Sequence, residues 1–341
     1  MTGLAAPLRD TPELRVGDWV EVKSAEQILA TLDAEGSRDA LPFMPEMLHY
    51  CGKRFRVSKS AHKGCDTIKT WRNRRMNDAV HLEDLRCTGG AHDACQAGCL
   101  LYWKTAWLKP VPGPTGDGET GATPPDSAAD GGAGCDLDTL QRGTRAPAAE
   151  GQTERPYRCQ ATEMFRATTP THWDPSVYVK DITSGNVSLP DFVRFGLLAL
   201  LNRLRRFPHI RGRAKRRTPQ GEVLNLQPGE WVEVRTKDEI LLTLNRGLRH
   251  RGLSFDIEML PFCGRRFRVL RRVERLIDDR NGKMLFPKSA CLILENVTCS
   301  GCRSRNRMFC PRAIYPYWHE VWLKRVEHGD RATGTTAPTP A

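Results

Sequence analysis

The sequence predicts a mainly β protein with short helices: two similar small barrels with cysteine-rich insertions, joined by a disordered linker and a central amphipathic helix. Three observations predict it. CGKRFRV at residues 51–57 returns as CGRRFRV at 263–269. GDWVEVKSAEQILATL, opening at Gly17, matches GEWVEVRTKDEILLTL, opening at Gly229, and the offset of 212 holds without a gap through Val57 and Val269. Between the copies lies a Gly/Pro/Ala/Asp-rich stretch with almost nothing to bury, followed by one strongly apolar helical pattern.

Each copy reads as a set of short elements. WVEV alternates apolar and polar residues, the period of a half-buried strand. Ser24 stands three before Gln27, and Thr236 three before Glu239. These are capping boxes, which satisfy orphan amides at a helix start. The helices that follow put Ile28, Leu29 and Leu32, and again Ile240, Leu241 and Leu244, on one face. A Phe/Met/Leu segment and a Cys-Gly turn lead to RFRV as a second strand. WLK is a third, because YWKTAWLKPV (102–111) matches YWHEVWLKRV (317–326) at an offset of 215. The expected organisation is a disordered tail (1–14), a first repeat domain (15–111), a disordered linker (112–156), a central segment (157–220), a second repeat domain (227–326) and a disordered tail (327–341). In the central segment Ser188 and Asp191 cap an apolar helix over 189–206, and eight Lys and Arg residues follow between Arg203 and Arg217.

The pattern GDWVEV, a helical excursion and then Gly-basic-x-φ-x-V resembles the opening of SH3-like barrels, such as the KOW type and the nitrile hydratase beta type. The longer pattern GDWVEV…MPEML-x-YCGKRFRV…LRC…C-x3-C…WLK, with YRCQATEMFRATTP at 157–170, resembles a family of uncharacterised bacterial proteins and implies no activity. SH3-like barrels carry many functions, so the resemblance implies a fold and leaves function to the residues.

The net charge of +12 is uneven: +2 over 11–110, −5 over 111–150, +8 over 151–220 and +6 over 221–330. This favours an acidic partner, nucleic acid or protein. The basic residues placed on the RFRV strands and just beyond are Lys53, Arg54, Arg56, Arg265, Arg266, Arg268, Arg271 and Arg272. The helix with its basic tail, residues 189–217, suits either an anionic membrane surface or a strut between the domains. No run of eighteen apolar residues and no secretory signal is seen, so a cytoplasmic protein with reduced thiols is expected.

Twelve cysteines then point to metal before disulfides. Copy one carries Cys51, Cys87, Cys95 and Cys99; copy two carries Cys263, Cys299, Cys302 and Cys310. Cys51 aligns with Cys263 and Cys87 with Cys299, while Cys99 aligns with Cys310 after a one-residue slip. Four thiolates per domain is the donor count of a closed zinc site, and two structural zinc ions per chain are expected. An iron–sulfur cluster accepts the same ligands, and ordinary buried thiols are the plain alternative. His62, Cys65, His81 and His92 form a further metal set in copy one or are ordinary histidines. No P-loop, GxGxxG, HExxH, GxSxG or kinase pattern is present. The sequence therefore favours a non-enzymatic, metal-stabilised tandem binding or scaffold protein. The alternatives are an iron–sulfur or metal-dependent accessory enzyme in a bacterial biosynthetic pathway and a peripheral membrane adaptor. Oligomeric state is left open.

Overall fold

The structure is a computed structural model, and it describes residues 13–113, 135–147, 154–171, 174–204, 210–214 and 224–326. The chain divides into two compact units. Unit 1 comprises Met1–Gly64, Arg74–Leu85 and Leu101–Asn186; unit 2 comprises Cys65–Asn73, Arg86–Leu100 and Val187–Ala341. Two stretches of copy one thus belong to unit 2.

Unit 1 is built on a five-stranded antiparallel sheet. Its strands are β1 (Trp19–Val22), β2 (Arg54–Ser60), β3 (Ala79–Leu82), β4 (Trp103–Lys104) and β5 (Leu108–Pro110), in the order β4-β3-β2-β1-β5. Unit 2 holds a second sheet of β6 (Trp231–Val234), β7 (Arg266–Arg272), β8 (Cys291–Leu294), β9 (Trp318–His319) and β10 (Leu323–Arg325), in the order β9-β8-β7-β6-β10. Strand order and register coincide. Trp19 faces Arg56 as Trp231 faces Arg268, and Val20 faces Pro110 as Val232 faces Arg325. Both sheets are open at β4/β5 and β9/β10; among the described residues neither closes into the expected barrel. Closure needs tilted, staggered strands of some length, and the edge strands here are two or three residues long.

The local devices read from sequence are in place. Ser24 and Gln27 cap α1 (Ala25–Leu29) reciprocally. Val20, Val22, Ile28, Phe43, Met47, Val57 and Leu82 pack beneath the first sheet with Trp103 and Trp107, whose rings meet Phe43 edge-on at 6.2 and 5.1 Å. In unit 2, Thr236 and Glu239 cap a helix over Lys237–Thr243, and Phe255 meets Trp318 and Trp322 at 6.4 and 5.7 Å. The indole of the tryptophan just before each last strand donates to a threonine at or just past the end of the capped helix: Trp107 to Thr31 at 3.2 Å, Trp322 to Thr243 at 2.9 Å.

The central segment contributes most of what the sequence left blank. Within the stretch read as linker, α2 (Leu137–Arg142) is ordered on its Asp136 cap, with Leu140 buried against Gly36. Gln160 brackets the backbone before β4, accepting from Tyr102 N at 2.8 Å and donating to Tyr102 O at 2.9 Å. Asn186 does the same at the end of β2, accepting from Ser60 N at 2.7 Å and donating to Ser60 O at 2.8 Å. Side-chain amides thereby satisfy backbone groups that a neighbouring strand would otherwise pair. Between them α3 (Ser176–Thr183) carries Asp181, which pairs with Lys63 in full burial and also meets His62 at 3.2 Å. The last helix, α4 (Leu189–Leu204), begins at the expected Ser188 cap. No described helix is long and apolar enough to cross a membrane. Residues 1–12 of the first expected tail, the whole of the second, most of the linker and most of the basic tail after α4 lie outside the described residues; Leu14, at the end of the first expected tail, is buried.

Removing one partner of a buried ion pair strands the other charge. Asp181→Ala should therefore lower the unfolding free energy by roughly 3–5 kcal/mol in urea denaturation. A loss within experimental error would refute that role for α3.

Candidate metal centre

Two cysteine loops of unit 2, residues 87–99 and 299–314, share one backbone plan. Cys87 N donates to Cys99 O at 2.8 Å, and Cys299 N to Ile314 O at 2.8 Å. Ala94 N and Phe309 N return to Gly89 O and Gly301 O at 3.0 and 3.2 Å. Cys95 N and Cys310 N close on His92 O and Arg307 O at 3.1 and 3.0 Å. These bonds correct the sequence alignment. Cys95, and not Cys99, corresponds to Cys310, at the offset of 215 that governs the rest of the copy; Cys99 corresponds to Ile314. The slip arose because the extra residues of copy two fall between Gly301 and Arg307, where nothing in the sequence marks them. Both glycines have positive φ, +80° at Gly89 and +69° at Gly301. A methyl group would stand 2.2 Å from Cys95 O in one loop and 2.6 Å from Cys310 N in the other. Only glycine lets the turn close on the second cysteine.

The sulfurs are bound reciprocally. Cys65 N donates to Cys310 Sγ at 3.1 Å, and Ile277 N donates to Cys95 Sγ at 3.4 Å. Cys65 and Ile277 are equivalent at an offset of 212, as are Thr67 and Asp279, which bond each other at 3.0 Å. A position of copy one meets its partner in copy two, and the equivalent position returns the contact; this is the logic of an isologous interface.

Cys65 and Cys310 are in direct contact and Cys299 feels the charge of Cys65, but among the described residues the three sulfurs do not all lie within 4.8 Å of one another. Cys65, Cys299 and Cys310 are free thiols. The hydrogen bond with Cys310 pulls the Cys65 thiol down, aided by the guanidinium groups of Arg312 and Arg307. Burial, with the neighbouring Cys65 sulfur, pushes the Cys310 thiol well up, opposite in direction to Cys65. Burial, with Glu258 and Cys65 nearby, pushes Cys299 up to about 12. Arg312 is fixed by donating to Cys65 O at 2.6 Å, and Arg307 by Asp256 at 2.6 Å. Buried Glu258 anchors the CSGC turn, accepting from Ser300 Oγ at 3.0 Å and Arg303 N at 2.7 Å. Cys302, in that turn, is half-buried. In the other loop Cys87 Sγ and a ring nitrogen of His92 lie within 4.8 Å of one another. Cys95 and Cys99 both act on the Tyr317 phenol, which burial holds well above its ordinary range.

The other expected ligands are placed as follows. Cys51 belongs to unit 1. Cys263 packs against the core of the second sheet, and burial raises both thiols to about 11. Among the described residues no set of three or four cysteines has its sulfurs within 4.8 Å of one another, so neither expected quartet is assembled. His62 and His81 belong to unit 1, where His62 bonds Val177 O at 3.0 Å and His81 bonds Leu101 O at 2.9 Å; Cys65 and His92 belong to unit 2.

Among the expected partner-binding cations, several are tied to their own strands. Arg54 meets Glu21 at 3.2 Å and Arg266 meets Glu233 at 3.4 Å. Arg56 and Arg268 each donate to a glycine carbonyl, Gly17 and Gly229, at 3.2 Å, and both stay exposed. Lys53 meets the His49 ring at 3.2 Å, Arg265 lies over the Phe267 ring, and Arg272 pairs with Glu320 at 2.6 Å. Arg271 is half-buried.

Sequence reasoning missed the pairing of Cys65 with copy two; the signal was its equivalence to Ile277 opposite a second cysteine. Comparison with family models, with curated proteins and with solved structures finds no match.

Gly301→Ala should destabilise the protein by roughly 1–3 kcal/mol in chemical denaturation, from strain and the clash with Cys310. Gly264→Ala, at a positive φ with no atom near the new methyl, should cost less. Equal costs would contradict the tight-turn argument.

Proposed function

We propose that the chain is a non-enzymatic tandem binding protein whose two cysteine loops are held by structural zinc. The observation that supports this most is the contact of Cys65 with Cys310, from segments far apart in the chain, with the Cys65 thiol pulled down by Cys310, Arg312 and Arg307. A bound ion would draw in Cys299, which already feels the charge of Cys65. Cys302, from the CSGC turn, supplies the fourth sulfur, giving the four thiolates of a closed tetrahedral site. Cys87, His92, Cys95 and Cys99 serve the second ion. Zinc in this role is folding energy: it ties excursions that have little core of their own.

The sheets then act as the display. A four-strand meander whose fifth strand returns beside the first, after one turn of 3-10 helix at Thr105–Trp107 and Glu320–Trp322, has the strand order of an SH3-like barrel. Both sheets present an exposed arginine at the same register, Arg56 and Arg268. Two such faces in one chain bind an acidic partner, nucleic acid or protein, with the added strength of a tethered second contact.

A second reading rests on α4. Phe192 and Phe195 pack on Phe309 at 5.4 and 6.3 Å, whereas Leu189, Val193, Leu197 and Leu200 form a stripe that is 50–60% exposed among the described residues. An apolar stripe followed by a basic run suits an anionic membrane surface.

Metal analysis with an absorbance spectrum tests the leading reading. Colourless protein carrying two zinc ions per chain is expected, with one ion lost in Cys65→Ser. A brown protein would replace zinc with an iron–sulfur cluster, and metal-free folded protein would refute both. Oligonucleotide or acidic-peptide binding should weaken steeply with salt, and a flat response would remove the acidic partner. Sedimentation with anionic vesicles that is unchanged in Val193→Asp/Leu197→Asp would remove the membrane reading.

A further inference from the structure

Unit 2 contains an open cleft of about 440 Å³ whose lining includes His250, Arg251, Arg272, Lys288, His319 and Glu320. Its meaning comes from comparing equivalent positions in the two copies. In unit 1 the buried Lys104 reaches the Asp39 carboxylate at 2.9 Å and the Asn77 carbonyl at 3.0 Å. The equivalents in unit 2 are His319, Arg251 and Ser289, on the same backbone frame. Ala79 faces Lys104 as Cys291 faces His319, and Asp39 and Arg251 share a positive φ, +52° and +46°. Copy one therefore closes this spot with its own ion pair. Copy two replaces the lysine with a shorter ring and the carboxylate with a guanidinium cation.

What is left is a set of donors without an acceptor. His319 Nδ1 accepts from Val321 N at 3.1 Å, so the proton of the neutral ring sits on Nε2. That Nε2 is buried and has no hydrogen-bond partner among the described residues. Burial, with His250 and Arg251 beside it, holds the His319 pKa down to about 4, so the ring is neutral at pH 7. His250 packs edge-on against it at 4.4 Å, with its own Nδ1 held by Thr243 O at 3.0 Å. The two carboxylates of the lining do not fill the gap. Glu320 is taken by Arg272 at 2.6 Å and by the amides of Leu226 and Asn225, and Glu274 is exposed. Arg251 and Lys288 are exposed cations on the rim.

We propose that this cleft is a binding site for a carboxylate ligand, whose oxyanion takes the place that the Asp39 side chain holds in copy one. His319 Nε2–H and the Arg251 guanidinium are the donors to it, and Lys288 adds attraction from the rim. A buried donor left unmade carries a desolvation penalty, and an anionic acceptor removes it. The cleft is of the size that takes a small metabolite or the acidic side chain of a peptide. The proposal is independent of the metal reading, since none of these residues is among the proposed ligands.

The test uses the full chain with its histidine rings labelled with 15N, titrated with acetate at constant ionic strength, acetamide serving as the neutral control. Acetate should shift the His319 ring signal, and that of His250 packed against it, saturably, and acetamide should shift neither. Arg251→Ala, a change at an exposed residue, should weaken acetate by about tenfold or more. Arg251→Asp/His319→Lys rebuilds the ion pair of copy one. It should abolish the response of the His250 ring while the melting temperature is kept. An equal response to acetamide or to sodium chloride, or undiminished acetate binding in either variant, would overturn the proposal.

Discussion

A main-chain amide of one sequence copy donating to a cysteine sulfur of the other is the contact on which the structure of unit 2 depends. It occurs twice, from Cys65 to Cys310 and from Ile277 to Cys95. Each bond fixes a loop whose own interior is poor in apolar side chains, and each needs a glycine beneath it to let the cysteine approach. The consequence is a mixed unit: residues 65–73 and 86–100 leave the sheet of copy one and count with copy two. Reciprocal contacts of this kind normally arise between identical subunits; here they lie inside one chain.

The two contacts are equivalent in geometry and unequal in chemistry. Where copy two offers Ile277 beside Cys95, copy one offers Cys65 beside Cys310, and only the second arrangement brings two sulfurs together. Arg307 and Arg312 then favour the thiolate, as two cations beside a buried thiol must. The same divergence runs through the sheets. Lys104 and Asp39 close one copy with an ion pair, while His319 and Arg251 stand at the equivalent places in the other. A common frame has thus been given two local chemistries by changes at a few side chains.

Much of the frame was legible in the sequence. The alternation in WVEV, the hydroxyl-to-Glu/Gln capping spacing and the offsets of 212 and 215 located the strands, the short helices and the tryptophans of both cores, because each signal is local. What was not legible was long-range. Gln160 and Asn186 pair with backbone that is distant in sequence and have no periodicity to announce them. Lys63 reads as one more surface cation until Asp181 is placed on α3. Sequence sorts the cysteines by copy, as ligands of one domain usually are. On that basis Cys65 falls into a set with His62, His81 and His92, whereas the structure pairs it across copies and ties His62 and His81 into unit 1. The misaligned Cys99 has the same origin: a loop insertion moves a ligand without changing the apolar pattern around it.

The proposed zinc site requires Cys65, Cys299 and Cys310 to act as a single ligand set. Maleimide labelling of the folded protein, read cysteine by cysteine by mass spectrometry with and without a chelator, tests it most directly. The account expects all three to be protected as isolated and to become reactive together once the chelator is added, while Cys263 is unchanged. Independent labelling of the three, with no effect of the chelator, would contradict it.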